Sequence, residues 1–207
     1  MSSPSSNSAR RLAVLISGGG RTLLNLLSHI RAGTLDARIA LVIASAECLG
    51  AQRAREAGLP VVVEPGRIPG PRLAELLRTH DARWVVLAGY LKLVEIPAGF
   101  EGRVVNIHPA LLPRHGGPGM FGHRVHEAVL RDGDTESGCT VHLCDARYDT
   151  GPIVLQRRVP VLSGDTPETL AARVFAAECE AYPEALRMLL RGPVASPRPE
   201  QSDAFRP

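Results

Sequence analysis

A chain of 207 residues, 44% hydrophobic and 22% charged, carries enough apolar material for one well-filled core. Its net charge of +3 is not gathered into a basic stripe, which excludes a surface built for nucleic acid, and no apolar run approaches the roughly 20 residues that cross a membrane. The four cysteines form no C-x-x-C pair and nothing resembles a secretory signal, so reduced thiols in a cytoplasmic protein are expected.

Residues 1–11, MSSPSSNSARR, are Ser-rich and lack an apolar pattern, so a disordered leader is expected. Beyond it the chain alternates. LAVLIS (12–17) is an unbroken apolar run, as suits a strand covered on both faces. TLLNLLSHIRAG (22–33) has helical spacing and a glycine stop at Gly33. RIALVIAS (38–45) predicts a second strand, CLGAQRAREAG (48–58) a second helix, and PVVVE (60–64) a third strand. A helix opened by Pro71 follows in PRLAELLRTH (71–80), then strands in WVVLAGY (84–90) and RVVNIH (103–108). After a helix near 123–131 the order changes. SGCTVHLCDA (137–146) and GPIVLQRRVPV (151–161) are two strands joined by the turn RYDTG, and so an antiparallel hairpin. A last amphipathic helix runs from Thr166, capped by DTPE, to Leu190. The Pro-rich residues 192–207 have little to bury and are expected to be disordered. The pattern predicts an α/β fold in one domain, 12–191. It is a Rossmann-like doubly wound sheet, mostly parallel, with an antiparallel C-terminal hairpin and a long C-terminal helix.

In open α/β sheets, ligands sit beyond the carboxyl ends of the strands. Three polar tips belong there: SGGGRT after the first strand, AGYLKLV at the fourth and NIHPALLP at the fifth. Gly18, Gly19 and Gly20 lie between a strand and a helix, where backbone N–H groups can approach a phosphate; a merely tight turn is the alternative. A dinucleotide fingerprint fails because Leu23 holds the third glycine's place, and no G-K-[ST] follows for a nucleoside triphosphate. Asn106 and His108 are two apart, so on an extended strand they share a face, as an amide and an imidazole that stabilise an oxyanion would. Pro109 and Pro113 stiffen the loop that follows. Asp149 lies in the hairpin turn, where aspartate is also common for local reasons. His123 and His126 are spaced i, i+3, but no ligand pattern repeats around them, and no metal is expected.

LISGGGRTLLNLL, VVLAGYLKLV, VVNIHPALLPRHGGPG, GCTVHL and YDTGPIVLQ together resemble the phosphoribosylglycinamide formyltransferase family, in order and spacing, from about Leu12 to Leu190. The resemblance implies transfer of a formyl group from 10-formyltetrahydrofolate to the amino group of glycinamide ribonucleotide in purine synthesis. It implies Asn106, His108 and Asp149 as the catalytic set. It implies Gly18, Gly19, Gly20, Arg21 and Thr22 as the phosphate loop, and Glu178 beside the substrate amine. The folate pocket would comprise Leu91, Lys92, Leu93 and Val94, with Asn106 and the turn residues Asp145, Ala146, Arg147 and Tyr148. Arg72, or its rival Arg67, would contact the folate. Gly19 stands where many members have Asn, and RHGGPGMFGHRVH is longer than the common form.

The implied chemistry needs Asn106 to donate to the developing oxyanion and a protonated His108 to stabilise it, with Asp149 expected to raise the histidine's pKa. Small-molecule substrates are the expected partners of a cytoplasmic monomer or homodimer. Methionyl-tRNA formyltransferase and formyltetrahydrofolate hydrolase would share Asn-His-Asp. The Pro-rich end and the short leader weigh against the additional domains those two carry. A non-catalytic sensor of phosphate ligands is the alternative of a different class.

Overall fold

Strand β1 (Arg11–Ile16) is buried almost end to end, and its side chains alternate between two cores. Leu12, Val14 and Ile16 point to one face, and Ala13 and Leu15 to the other. A strand apolar on both sides demands helices on both sides, and that requirement organises the chain. The computed structural model describes residues 10–191, so the expected Pro-rich tail and all but the last two residues of the expected leader lie outside the described residues. Arg11, assigned to the leader from its composition, begins β1 instead, in register with Arg38.

The elements follow the predicted order: α1 (Arg21–Arg31), β2 (Arg38–Ala44), α2 (Leu49–Glu56), β3 (Val61–Val63), α3 (Gly70–Thr79), β4 (Trp84–Leu87), β5 (Val104–His108), α4 (His123–Arg131), β6 (Glu136–Leu143), β7 (Ile153–Pro160) and α5 (Pro167–Leu190). Seven strands form one sheet in the order β3-β2-β1-β4-β5-β6-β7. Pairings from β3 to β5 are parallel, while β6 is antiparallel to β5 and β7 antiparallel to β6. Helices α1, α2 and α5 pack one face through Leu23, Leu26, Ala51, Ala54, Leu170 and Leu186. Helix α3 covers the other through Leu73, Leu76 and Leu77. No described helix is long and apolar enough to cross a membrane.

Two features aim the sheet at a site. The chain runs outward from β1 to β2 and β3, then returns to place β4 on the other side of β1, so a crevice opens between β1 and β4 at their carboxyl ends. Helix α5 is locked across that region. Its start carries a reciprocal cap between Thr166 and Thr169, rather than one through the glutamate of DTPE. Near its other end, the fully buried Tyr182 hydroxyl lies 2.9 Å from the Leu87 carbonyl and 3.0 Å from that of Val105, tying the helix to β4 and β5.

Candidate active site

The switch point opens into a crevice of about 560 Å³, within the size range of small-molecule sites. Its walls come from the start of α1 (Arg21, Thr22), the segment after β4 (Gly89–Val94), the end of β5, the loop 117–123, the hairpin turn (Asp145, Arg147, Tyr148, Asp149) and one stripe of α5 (Ala171, Val174, Phe175, Glu178). All three polar tips expected from the sequence therefore reach one region. Gly18, Gly19, Gly20 and Ala146 adjoin it without walling it.

At its centre Asn106, His108 and Asp149 meet. His108 is only 3% exposed. Its Nε2–H donates to the His115 carbonyl at 2.8 Å, which leaves Nδ1 3.5 Å from Asp149 Oδ2. Asp149, at φ 57°, has a second oxygen 3.4 Å from His142 Nε2 and accepts from the Gly117 N–H at 2.9 Å. Asn106 Nδ2 donates to His142 Nε2 at 3.1 Å, and His142 Nδ1–H is directed to the Leu143 carbonyl. His142 is thus the residue that joins Asn106 to Asp149. Its place was open to reading only through register, because β6 sets it directly opposite Asn106.

The electrostatics correct one expectation. Burial pushes the His108 imidazole below its usual pKa, and although Asp149 and the His115 carbonyl pull it upward, they do not overcome burial. Asp149 behaves oppositely. Burial alone would raise its pKa, but His142 at 3.4 Å, the nearby His108 and the Gly117 N–H together hold it below the usual carboxylate value. The resting pair is accordingly a carboxylate beside an imidazole that resists protonation.

The loop after His108 is pinned by a small polar network that the sequence reading missed. Thr140 Oγ1 donates to the Ala110 carbonyl at 2.7 Å and accepts from the Leu112 N–H at 3.0 Å. Gln156 Nε2–H groups reach the Leu112 carbonyl and Thr140 Oγ1, each at 2.9 Å. The Leu112–Pro113 peptide within this loop is cis.

The glycine turn has its own geometry. Gly20 takes φ 73° ahead of α1, and no side chain caps the helix, so its first N–H groups remain open. A Cβ on Gly20 would lie 2.8 Å from Gly50 Cα, while one on Gly18 or Gly19 would meet nothing within 4 Å. Helix α2 thus braces the turn from behind, with Gly50 N–H donating to the Gly18 carbonyl and Arg53 to that of Gly19. Arg21 stacks on Phe175 with its guanidinium carbon 3.7 Å from the ring centroid, and Glu178 lies one turn further along α5. Burial raises the Glu178 carboxyl to about 7, against the opposing pull of Arg21.

Residues 10–186 match the formyl transferase family. The chain belongs to that family. It is 42% identical over 189 residues to a phosphoribosylglycinamide formyltransferase, chloroplastic, of Vigna unguiculata, a match covering 87% of this chain and 61% of the relative. The corresponding Arabidopsis thaliana protein is 41% identical over 84% of this chain and 63% of its own length, so the chain spans about three-fifths of these plant relatives. Glycinamide ribonucleotide transformylase 1 from Symbiobacterium toebii superposes with a TM-score of 0.80 at 38% identity, covering 89% of each chain.

In this chain the expected folate residues divide. Leu91, Lys92, Leu93, Val94, Asp145, Arg147 and Tyr148 wall the crevice, and Leu91, Tyr148 and Phe121 leave apolar surface exposed there. Neither arginine proposed for the folate does so. Arg72 is held by Glu64 and Glu75, both at 2.7 Å, and Arg67 is 3.9 Å from Glu95. Among the described residues no group of three or more His, Cys, Asp or Glu is arranged to hold a metal.

Proposed function

We propose that this formyl transferase moves a formyl group from 10-formyltetrahydrofolate to the amino group of 5'-phosphoribosylglycinamide, a step of purine synthesis. The observation that carries the reading is the meeting of Asn106, His108 and Asp149 at one crevice that has an uncapped helix start at one end and apolar walls at the other. The phosphate is assigned to the open N–H groups of Gly18–Thr22, with Arg21 beside them. The flat ring system of the folate suits Leu91, Leu93, Val94 and Tyr148, with Lys92 and Arg147 as cations for its carboxylates.

Between the two lies the chemistry. The amine attacks the formyl carbon, the carbonyl oxygen gains negative charge, and the bond to the folate nitrogen breaks as that nitrogen takes up the proton of His108 Nδ1. Asn106 Nδ2 supplies an N–H to that oxygen, and His108 supplies a second from Nδ1 once it is protonated. Nε2 stays committed to the His115 carbonyl, so protonation at Nδ1, beside Asp149, changes the ring's charge without moving it. The amine must lose a proton, and Glu178, raised by burial to about 7, is matched to accept one near neutral pH. The reading keeps the protein in the cytoplasm as a monomer or homodimer.

The test is direct. Purified protein is mixed with 10-formyltetrahydrofolate and the ribonucleotide, and tetrahydrofolate release is followed. Release that depends on both substrates is expected. Release without the ribonucleotide would indicate a hydrolase instead, and no release with either would overturn the reading.

A further inference from the structure

His126 lines the crevice, yet nothing in the chemistry above uses it. Helix α4 buries Val125, His126, Ala128 and Val129, so a histidine stands where the pattern of the helix calls for an apolar side chain. It is 4% exposed. Its Nδ1 is enclosed by protein with no hydrogen-bond partner among the described residues, and no hydrogen bond or ion pair engages the other ring nitrogen. The neighbouring imidazoles differ, since His108, His115 and His142 each have a partner. Nδ1, being enclosed, is out of a ligand's reach, but Nε2 is unpartnered and not enclosed, so in a ligand crevice it is the ring atom left to meet a partner that arrives with the ligand.

The position narrows what that partner is. One turn earlier, His123 reaches Glu168 at the start of α5 at 3.5 Å, which sets α4 against that helix. The stripe of α5 that walls the crevice continues through Ala171, Val174 and Glu178, and His108 stands close enough to His126 for their charges to interact. His126 therefore lies between His108 and the first turn of the α5 stripe that also carries Phe175, the partner of Arg21, and Glu178, which on the proposed reading is the ribonucleotide's side of the crevice.

We propose that His126 is a further ribonucleotide contact, whose ring hydrogen-bonds the amide of the glycinamide arm and so aims the attacking amine. The inference rests on the formyl-transfer reading. Burial, then the neighbouring His123 and His108, hold the imidazole down at about 4, so near neutral pH it offers one N–H and one bare nitrogen. With Nδ1 enclosed, Nε2 alone meets the amide, donating its N–H to the carbonyl oxygen. His126 is a positioning residue here, since it touches the arm and not the formyl group.

Two variants and one spectrum test this. In His126→Phe, which keeps a ring but removes both nitrogens, KM for the ribonucleotide should rise at least tenfold while KM for the folate stays within twofold. The Tm should hold or increase, because the orphaned nitrogen is gone. His126→Gln, which restores a donor and an acceptor, should recover part of the loss. A Phe variant with wild-type KM for the ribonucleotide, or with equal changes for both substrates, would overturn the proposal. Should that variant fail to fold, ring-15N-labelled histidines of the wild-type protein are titrated with the ribonucleotide alone. A shift of the His126 nitrogens supports the contact, and unmoved nitrogens at saturation overturn it. Wild-type turnover is measured alongside: its absence counts against the formyl-transfer reading, while unmoved nitrogens in an active enzyme count against His126 alone.

Discussion

Two nitrogens of one imidazole set the terms at the proposed reacting centre. Because His108 Nε2 is committed to the His115 carbonyl, only Nδ1 is left to answer Asp149 and a developing oxyanion. Replacing either proposed oxyanion donor, by Asn106→Ala or His108→Ala, should lower kcat by roughly 10²–10³-fold with a smaller effect on KM. Near-normal turnover of His108→Ala would remove it from the reaction. Asp149→Asn keeps the shape and deletes a charge that raises the His108 pKa, so that pKa should fall further below its already depressed value. Protonated His108, and the activity it supports, then disappears at lower pH, and the alkaline limb of kcat/KM should move acidward. An alkaline limb that stays in place would reduce Asp149 to a turn residue. The sequence placed Asn106 and His108 on one face at a strand end, and joined Asp149 to them only through the family resemblance. It did not disclose which way the His108 pKa moves. That direction depends on burial by elements far apart in the chain, and on a carbonyl from a loop with no periodic pattern.

At the scale of elements, α2 supports the crevice without walling it, and β6 supports it from behind while giving His142 to its wall. A Cβ on Gly50 would lie 2.5 Å from the Gly18 carbonyl and 3.0 Å from the Gly20 nitrogen, so Gly50→Ala should push the glycine turn out of place. KM for the ribonucleotide should rise about tenfold or more with folate KM little changed, since a displaced loop gives up hydrogen bonds to a charged ligand. Equal rises for both substrates would indicate general damage. The triple glycine was visible in the sequence, but the need for Gly50 was not, because nothing local in CLGAQRAREAG records what packs against it. The network around Thr140 was hidden for a related reason. In GCTVHL the residue reads as one more β-branched strand former, and only the register of β6 brings it under Ala110 and Leu112. Thr140→Val would leave a carbonyl, an N–H and a glutamine without their shared hydroxyl, at a cost of about 2–3 kcal/mol in urea unfolding. kcat should fall as well, since the same loop carries the carbonyl that holds His108. A variant as stable as wild type would show that water replaces the hydroxyl.

The whole molecule carries a conflict between a buried histidine and a half-buried glutamate, and pH is the way to see it. The alternation of apolar runs predicted seven strands and five helices in the observed order. The composition of α4 could not show that His126 turns inward, whereas the spacing of α5 set Glu178 beside its apolar stripe. His126 is held at about 4 against an ordinary 6.5, mainly by burial, so between those values the unfolded chain binds a proton that the folded one refuses. Its contribution to stability is complete above 6.5 and is lost as pH falls toward 4. Glu178 is raised by burial from 4.5 to about 7, so in that window the folded protein keeps a proton that the unfolded chain releases. Its contribution is complete below 4.5 and is lost as pH rises toward 7. Each swing amounts to about 2–3 kcal/mol after allowance for partial solvent contact, and between pH 4.5 and 6.5 the two slopes oppose each other. Single variants should separate them. Glu178→Gln removes the downward slope, so its stability relative to wild type should increase with pH from 4.5 to 7. His126→Phe removes the upward slope, so its relative stability should decrease as pH rises from 4 to 6.5. Neither group acts directly on the other's pKa, so the double variant should show the sum of the two differences. Chemical denaturation of the four proteins at half-unit intervals of pH measures all three curves. Relative stabilities that stay level with pH would mean that water reaches both side chains in the folded protein.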